Sequence, residues 1–368
     1  MKLPVRPPEE ADFTSPTHGP RVSARIGLWL GIAFGLCFAT GLISHGIQHP
    51  AAWFTWPSRP VNLYRITQGV HVTSGVAAIP LLLAKLWSVY PKLFGKPVVR
   101  SVPHALERAS IFVLIGASFF ELLTGVFNVA QNYPWAFFFP TAHYAVAYVV
   151  TGALLVHIAV KLPVIREALT RTTEEPKPAT GALSRRGFLL TTGGAAGVAV
   201  LATIGGTVPW FRGVSVLGSR SASGVPVNRL AKAAGVSTAD SSWRLRVGDA
   251  EFTLDELRAM PQTTAELPIA CVEGWSATAT WTGVPVADLL ERVGAPAGSA
   301  VRVESLEKDG LYRSTTLPGT HTADPLTLLA LRMNGGTLTL DHGYPCRLIA
   351  PSRPGVLQTK WVSRLEVL

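Results

Sequence analysis

Charged residues are scarce in this chain. Asp, Glu, Lys and Arg make up 15% of its 368 residues, whereas an ordinary soluble domain carries about 25%. Cysteine is scarcer still, with only Cys37, Cys271 and Cys346. Three cysteines are too few for a disulfide framework. Combined with a high apolar content, the shortage of charge excludes a disordered chain and an ordinary cytosolic enzyme.

Apolar residues, by contrast, reach 48%, and the mean hydropathy is +0.30. A helix that spans a bilayer needs about 20 mostly apolar residues. The sequence therefore predicts four spans near 26–46, 66–90, 109–130 and 141–162, and a weaker fifth, rich in Gly, Ala and Thr, near 188–210. Beyond Phe211, short β-type runs broken by Gly and Pro predict one soluble domain of mixed helices and strands.

The expected fold class is thus an all-α transmembrane four-helix bundle with a fifth anchoring helix, followed by an α+β domain. The predicted parts are a cytoplasmic tail at 1–25, the four-helix membrane domain at 26–162, a cytoplasmic loop at 163–187, the fifth transmembrane helix at 188–211, and the soluble domain at 212–368.

Basic residues are concentrated in alternate loops, which predicts the orientation because cytoplasmic loops of membrane proteins are rich in Lys and Arg. The 131–140 loop carries no charge and the 47–63 loop carries only Arg59. The pattern predicts a multi-pass cell-membrane protein, in contact with lipid, with its C-terminal domain on the extracytoplasmic side. The net charge of +10 is then explained without a nucleic-acid partner. The basic residues before the first span and after the second and fourth spans are Lys2, Arg6, Arg21, Arg25, Lys92, Lys96, Arg100, Arg108, Lys161, Arg166, Arg171, Lys177, Arg185 and Arg186.

The segment before the fifth span reads Ser184-Arg185-Arg186-Gly187-Phe188-Leu189-Leu190. It resembles a twin-arginine export signal, although Leu190 stands where a lysine is usual. The resemblance implies a twin-arginine translocase as partner, and hence a domain that folds around a cofactor in the cytoplasm. The alternative is that the arginine pair only anchors the span by its charge. Small residues at Ser221-Ala222-Ser223 raise the question of cleavage, but we expect a retained anchor.

Histidines lie at informative places in the predicted spans. His143 and His157 are 14 residues apart, which places them on nearly one helix face and about 21 Å apart along its axis. His71 is followed by Gly75 one turn later, and a small residue there lets a flat macrocycle approach an imidazole ligand. These positions suit two haems stacked across a bilayer. The alternative is that the histidines are polar contacts between helices.

Residues 26–162 are similar to the four-helix b-type cytochrome subunits of respiratory dehydrogenases. The resemblance implies that His71 and His143 hold an outer haem and that His157 belongs to an inner one. That family's partner for the inner histidine has no counterpart on the first span, so His104 is the remaining candidate. His45 and His49 are candidates for a quinone site or for alternative haem ligation. Glu121, in the middle of a span, is a candidate proton carrier or a hydrogen-bonding group between helices.

The soluble domain carries a more specific motif. Cys271-Val272-Glu273-Gly274-Trp275-Ser276 follows the apolar strand Leu267–Ala270, and a helix is predicted at about Val286–Val293. This block resembles the molybdopterin domain of the sulfite oxidase family, and in particular the bacterial catalytic subunits of periplasmic methionine sulfoxide reductases. The resemblance implies that Cys271 is the molybdenum ligand, a role that suits a soft thiolate. Alternatively, Cys271 is a buried thiol or pairs with Cys346.

A second block, from Asp341 to Trp361, extends this resemblance. It implies that His342, Arg347 and Lys360 contact the pterin and its phosphate, with Asn228 as a further pterin contact. Cationic donors are what a phosphate requires. Leu357 and Gln358 stand where sulfite oxidases often have Arg and Ser, which weakens that loop's phosphate contact. The second block also predicts a small core residue at Cys346. Tyr312 and His321 are candidates for the substrate pocket.

Together these features predict a membrane-bound molybdopterin-dependent oxidoreductase that exchanges electrons with the quinone pool through haem b. The resemblance favours reduction of S-oxides or N-oxides, and the alternative is oxidation of sulfite or a similar small anion. Two further alternatives stay open: a haem-less membrane anchor, and an interaction module whose cofactor pocket is inactive. Because residues 225–368 end without an immunoglobulin-like domain, the homodimer that such a domain forms is not expected.

Overall fold

The computed structural model describes residues 9–95, 97, 99–170, 183–218, 224–237 and 242–368. Some sequence-based predictions fall outside these described residues. They are the orientation-setting charges at Lys2, Arg6, Lys96, Arg171 and Lys177, and the cleavage question at Ser221-Ala222-Ser223.

The chain divides into two compact units that interleave along the sequence. The first unit comprises Met1–Ala39 and His71–Thr203, and the second comprises Thr40–Val70 and Ile204–Leu368. The sequence predicted one membrane domain over 26–162 and a separate domain after 211. Residues 40–70 instead group with the C-terminal part of the chain, because their contacts lie there. We call them the 40–70 segment.

Among the described residues, five helices are long and apolar enough to cross a membrane, as the hydropathy pattern predicts. In the first unit, α1 and α2 pack through small and branched side chains, with Ala33 and Ala78 in one buried cluster with Leu30 and Leu82, and α3 packs along α4. Large apolar side chains such as Trp29, Phe112 and Leu155 remain exposed, as expected of surfaces that face lipid. The helices are α1 Pro20–Gln48, α2 Leu63–Val89, α3 Val102–Val129, α4 Phe139–Thr170 and α5 Arg185–Thr203.

The described residues in the C-terminal part of the second unit form two five-stranded sheets. One has the strand order β2-β1-β10-β5-β6, in which β1 and β10 are parallel and the other neighbours are antiparallel. The other has the order β3-β4-β7-β8, with β9 also pairing with β7. The strands are β1 Arg244–Val247, β2 Ala250–Thr253, β3 Thr263–Ala270, β4 Ser276–Pro285, β5 Val301–Ser305, β6 Ser314–Leu317, β7 Leu328–Met333, β8 Gly336–Thr337, β9 Arg347–Ile349 and β10 Val362–Val367, and the short helices are α6 Leu254–Ala259, α7 Val286–Arg292 and α8 Gly319–Thr322.

The described residues of this part form two large buried clusters. One combines residues from both sheets and from α7, and includes Leu245, Leu289, Leu329 and Cys346. The other, around Trp281, includes Ile269 and Cys271. The sequence-predicted strand at Leu267–Ala270 is the end of β3, and the predicted helix from Val286 is α7. The mixed fold predicted for this region is therefore confirmed.

Candidate active site

Cys271 directly follows the last residue of β3, in a tight loop that leads into β4. The backbone N–H of Cys271 donates to the carbonyl of Trp275 over 2.9 Å, and the N–H of Gly274 donates to the carbonyl of Cys271 over 3.1 Å. The loop requires Gly274 at φ +86°, a conformation that side chains with a Cβ rarely adopt. The local sequence thus holds the Cys271 thiol at the end of a strand, where it is fully buried.

The Cys271 sulfur contacts the Glu273 carboxylate, with 3.6 Å between Sγ and Oε2. The indole N–H of Trp275 also donates to this oxygen over 3.0 Å. Burial, followed by the charge of Glu273, raises the pKa of Cys271 well above its usual value. The thiol therefore keeps its proton unless a metal ion takes its place.

Arg347, the first residue of β9, is the buried cation of the site, with 3% of its surface exposed. Its Nη1 donates to the His342 carbonyl over 3.3 Å, and its guanidinium lies 5.6 Å from the centre of the Trp281 ring. Burial lowers the pKa of Arg347 to about 10, so the group stays charged at neutral pH. Its Nε is buried and has no hydrogen-bond partner among the described residues.

Lys360 supplies a second cation, within electrostatic range of Arg347 and Cys271. Its Nζ donates to the carbonyl of Asp341 over 3.1 Å and to the carbonyl of Arg229. Burial, and after it the charge of Arg347, lowers the pKa of Lys360 to about 7. A phosphate beside this ammonium would restore its charge, because an anion favours the protonated form.

His342 is fixed by hydrogen bonds rather than free to rotate. Its Nδ1 lies 2.8 Å from the Thr339 hydroxyl, and its Nε2 lies 3.1 Å from the Val225 carbonyl. Gly343 follows at φ +111°, and a Cβ there would lie 3.1 Å from the side chain of Arg347. Because Gly343 has no side chain, the backbone leaves space beside the Arg347 guanidinium, which suits the close approach of an anionic group.

The structure therefore brings together most of the sequence-predicted ligands. Cys271, Arg347, His342 and Lys360 form one group of a buried thiol and cations, and the partnerless Arg347 Nε offers a donor. Asn228 is exposed, and the carbonyl of the adjacent Arg229 accepts from Lys360. This set of groups fits an anionic cofactor held by a thiolate.

The other candidate residues have different surroundings. Burial, followed by the charge of Cys271, raises the pKa of Tyr312, which places this tyrosine within electrostatic range of the thiol. His321 is buried in α8, and the charged groups that act on it are Arg353 and Asp324. Cys346 is a buried free thiol 3.6 Å from the Val362 carbonyl, in agreement with the predicted core role. Since Cys271 and Cys346 are both free, the alternative of a disulfide between them is wrong.

The sequence analysis missed the contribution of the 40–70 segment. Tyr64, with 1% of its surface exposed, packs in one cluster with Ala270 and Ile47 and lies within electrostatic range of Cys271. The Gln48 amide donates to its hydroxyl over 3.3 Å. Gln68 donates over 3.2 Å to the carbonyl of Val272, inside the Cys271 motif.

Three further contacts attach this segment to the C-terminal part of the second unit. Arg59 forms two hydrogen bonds to the Asp324 carboxylate, both 2.9 Å long. The Thr320 hydroxyl donates to the Trp56 carbonyl over 3.0 Å. The N–H of Ser352 donates to the Val61 carbonyl over 3.0 Å. No local pattern in the sequence indicates these contacts, because the partners lie more than 200 positions apart.

Within the first unit, α2 and α4 bring His71 and His143 together, with ring centroids 6.2 Å apart. Two imidazoles on one metal, at about 2 Å per metal–nitrogen bond, have a similar separation of about 6 Å. The Nδ1 of His71 lies 2.8 Å from the Cys37 carbonyl. The Nε2 of His143, however, lies 3.1 Å from the Glu121 carboxylate. A metal ion at this nitrogen would have to replace the carboxylate.

The remaining histidines form no comparable group. The Nδ1 of His104 accepts from the Arg100 N–H over 3.2 Å, and no contact joins His104 to His157 among the described residues. The pairing of these two at an inner haem stays a prediction. His45 and His49, in the 40–70 segment, have ring centroids 4.8 Å apart. The described residues contain no group of three or more His, Cys, Asp or Glu side chains able to hold a metal ion.

Comparison with known proteins defines the class of the C-terminal region. Residues 231–368 match the family described as the oxidoreductase molybdopterin binding domain. This matched range includes Cys271, His342, Arg347 and Lys360. The C-terminal region of the chain therefore carries an oxidoreductase molybdopterin-binding domain.

Three relatives of known description are similar to parts of this chain. A protein of Azospira oryzae described as the protein-methionine-sulfoxide reductase subunit YedZ1 is 37% identical over 116 residues, covering 32% of this chain and 43% of the relative. The sulfite oxidase of Arabidopsis thaliana is 34% identical, covering 26% of this chain and 29% of the relative. The methionine sulfoxide reductase catalytic subunit MsrP of Xanthomonas axonopodis is 32% identical, covering 34% and 45%. The chain spans less than half the length of each.

Proposed function

We propose that the chain is a membrane-bound molybdenum oxidoreductase that reduces S-oxides or N-oxides. The observation that carries the proposal is the placement of the buried Cys271 thiol within electrostatic range of two cations, the buried Arg347 and the half-buried Lys360. The similarity to a methionine sulfoxide reductase catalytic subunit supports this substrate class. The balanced reaction takes an oxide, two electrons and two protons to the reduced product and water.

In this proposal, Cys271 would hold molybdenum as a thiolate, with release of its proton. Arg347 and Lys360 would bind the phosphate and pterin, and His342 and Asn228 would border the pterin. When bound, the cofactor supplies oxygen-atom transfer coupled to two-electron chemistry. The protein's own contribution is to exclude water around the thiol, since Cys271 is fully buried and Trp275 nearly so.

We propose that the hydroxyl groups of Tyr64 and Tyr312 donate hydrogen bonds to the oxygen atom of the substrate. Both lie within electrostatic range of Cys271, and a tyrosine hydroxyl is a hydrogen-bond donor that can orient an oxide. The Tyr64 hydroxyl accepts a hydrogen bond from Gln48, which leaves its own proton available for donation to an oxide. Tyr64 would then make the 40–70 segment part of the active site.

Electrons would arrive from quinol through haem b. His71 and His143 would hold the outer haem, supported by their 6.2 Å ring separation, and His157 would belong to an inner one. The five apolar helices support placement in the cell membrane. The extracytoplasmic position of the catalytic domain, and its export by the twin-arginine translocase, rest on the basic loops and on the Arg185-Arg186 pair.

A conservative pair of substitutions tests the export proposal. Arg185→Lys with Arg186→Lys keeps the charge, so simple anchoring predicts no effect. Recognition by the translocase predicts a catalytic domain left in the cytoplasm, where protease added outside the cell does not reach it.

Oxidation of sulfite or a related anion is the second candidate, supported by the 34% identity to a sulfite oxidase and by the cationic site. The direction of catalysis distinguishes the two. Purified membrane-extracted protein is assayed for molybdenum and haem content, then with reduced viologen plus a panel of S- and N-oxides, and with an oxidised dye plus sulfite. Absence of molybdenum would contradict both candidates, and molybdenum without haem would leave only a membrane anchor.

A further inference from the structure

Four arginines line one pocket at the N-terminal ends of α1 and α5, within the first unit. The pocket has a volume of about 390 Å³ and is lined by Arg21, Val22, Arg25, Arg185, Arg186, Leu189 and Leu190. We call it the arginine pocket. None of its lining residues belongs to the molybdopterin site or to the histidine group described above.

The arginine pocket is strongly electropositive for two additive reasons. All four of its charged lining residues are cations, and guanidinium groups stay protonated at any physiological pH. Arg21, Arg185 and Arg186 also lie in the first turns of α1 and α5, where the helix dipole adds positive potential. Such a concentration of like charge is unfavourable unless an anion neutralises it.

One buried donor in the arginine pocket lacks an acceptor. The Nε of Arg21 is buried and has no hydrogen-bond partner among the described residues. A buried donor without an acceptor is costly, whereas a phosphate offers several oxygens and pairs with guanidinium in a two-bond fork. An oxyanion of phosphate type would therefore both offset the positive charge and accept the hydrogen bond that Arg21 Nε lacks.

The remaining walls of the pocket identify the source of the anion. Val22 belongs to a buried cluster against which Phe188 and Leu189 pack, so α1 and α5 are held together at this point. Leu190 is exposed and offers apolar surface beside the arginines. Both helices are candidate membrane spans, and their N-terminal ends are predicted at the cytoplasmic surface. A lipid headgroup lies at that depth, with its glycerol and acyl carbons next to its phosphate.

We propose that the arginine pocket binds the phosphate headgroup of an anionic phospholipid, and that this lipid joins α5 to α1. The twin-arginine motif does not by itself explain the pocket, because Arg21 and Arg25 lie on α1, far outside that motif. Lipid binding requires neither molybdenum nor haem. It can therefore fail while the proposed enzymatic function stands, and the enzymatic function can fail while lipid binding stands.

The test measures lipid binding by the purified full-length protein in detergent. Native mass spectrometry counts phosphatidylglycerol retained, and thermal unfolding is followed with added phosphatidylglycerol, phosphatidylcholine or inorganic phosphate. We expect one tightly held phosphatidylglycerol and a raised midpoint with that lipid alone. The paired change Arg21→Gln and Arg25→Gln should weaken binding at least about tenfold, since each charged hydrogen bond lost is worth about one decade of affinity.

The matched control is Arg100→Gln with Arg108→Gln, which removes the same charge on the same predicted side of the membrane but outside the pocket. An equal loss of phosphatidylglycerol in this control would overturn the proposal, because the effect would then reflect net charge. An equal response to inorganic phosphate would overturn the lipid as ligand and indicate a soluble anion. Should the glutamine pair not fold, Arg21→Lys with Arg25→Lys keeps the charge but loses the fork, and undiminished binding in that variant would also contradict the proposal.

Discussion

Arg59 and Asp324 lie 265 positions apart and form a two-pronged ion pair, with Nε–Oδ2 and Nη2–Oδ1 distances of 2.9 Å each. The Asp324 side chain is 4% exposed, whereas that of Arg59 is 49% exposed. Burial alone would raise the pKa of Asp324, but the hydrogen bonds from Arg59 and its neighbours hold it below its usual value. The charged carboxylate thus depends on a residue of the 40–70 segment.

Arg59→Ala should therefore destabilise the protein, because it leaves a buried carboxylate without its partner, at a cost of about 2 kcal/mol. Thermal or denaturant unfolding measures the loss. The control is Arg246→Ala, which breaks the exposed Arg246–Glu251 pair, with side chains 65% and 51% exposed, and should cost less than about 0.5 kcal/mol. Equal effects in the two variants would mean that the Arg59–Asp324 pair has no special role.

Cys271→Ser should abolish molybdenum binding while the domain remains folded, because the change removes a soft ligand and little volume. Turnover should fall by about a hundredfold or more. Cys346→Ser is the matched control, as it alters an equally buried thiol whose sulfur lies near the Val362 carbonyl instead, and it should keep its molybdenum. Metal analysis of both proteins checks the prediction, and molybdenum retained in the Cys271 variant would contradict the assignment.

Tyr64→Phe removes only a hydroxyl from the 40–70 segment. If that hydroxyl orients the substrate oxygen, kcat/KM should fall by about a hundredfold while molybdenum content stays unchanged. Tyr148→Phe, which alters an exposed hydroxyl 2.7 Å from that of Tyr144, should have no effect. Unaltered kinetics in the Tyr64 variant would show that this residue only fills space.

His71→Ala should remove one of the two proposed ligands of the outer haem. The iron should then be lost or become high-spin, since one strong axial ligand remains. His143→Ala and the double variant should look the same, because the two residues act as a unit. Absorption spectra of the purified protein, together with quinol-linked turnover, provide the measurement. A low-spin spectrum that survives in His71→Ala would redirect the search to His45, His49 and His104.

The buried His321 predicts a pH dependence of stability. Burial, and after it the nearby Arg353, lowers the pKa of His321 to about 4, so the folded protein binds this proton less readily than the unfolded chain does. Stability from this group is complete above about pH 6.5 and is lost as the pH falls toward 4, by at most about 3 kcal/mol. The unfolding midpoint of His321→Gln should therefore fall less between pH 7 and 4 than that of the wild type. His49→Gln, at an exposed site, should follow the wild type.

The sequence predicted the features that depend on local pattern. The five apolar helices follow from hydropathy, and the strand before Cys271 follows from its short apolar run. Arg347 and Lys360 were predicted from the motif around them, and both lie within electrostatic range of Cys271; their contacts with a pterin stay a prediction. Export, sidedness and haem binding stay predictions, since the helices alone test none of them.

Tyr64, Gln68 and Arg59 could not be assigned from the sequence. Tyr64 begins an apolar helix, where an aromatic residue is typical of a membrane interface. Nothing near it in the sequence indicates that it packs beside Ala270. Such pairings are decided by how the whole chain folds, and no local periodicity encodes them.

The interleaving of the chain has a consequence for the order of assembly. On the proposed export route, the C-terminal domain would acquire its cofactor in the cytoplasm, while the 40–70 segment would already lie on the outer side of the membrane. The side of β3 that contacts Tyr64 would therefore be uncovered at the time of loading. Docking of the segment after transport would then seal the metal centre, so that maturation ends with a closing step on the far side of the bilayer.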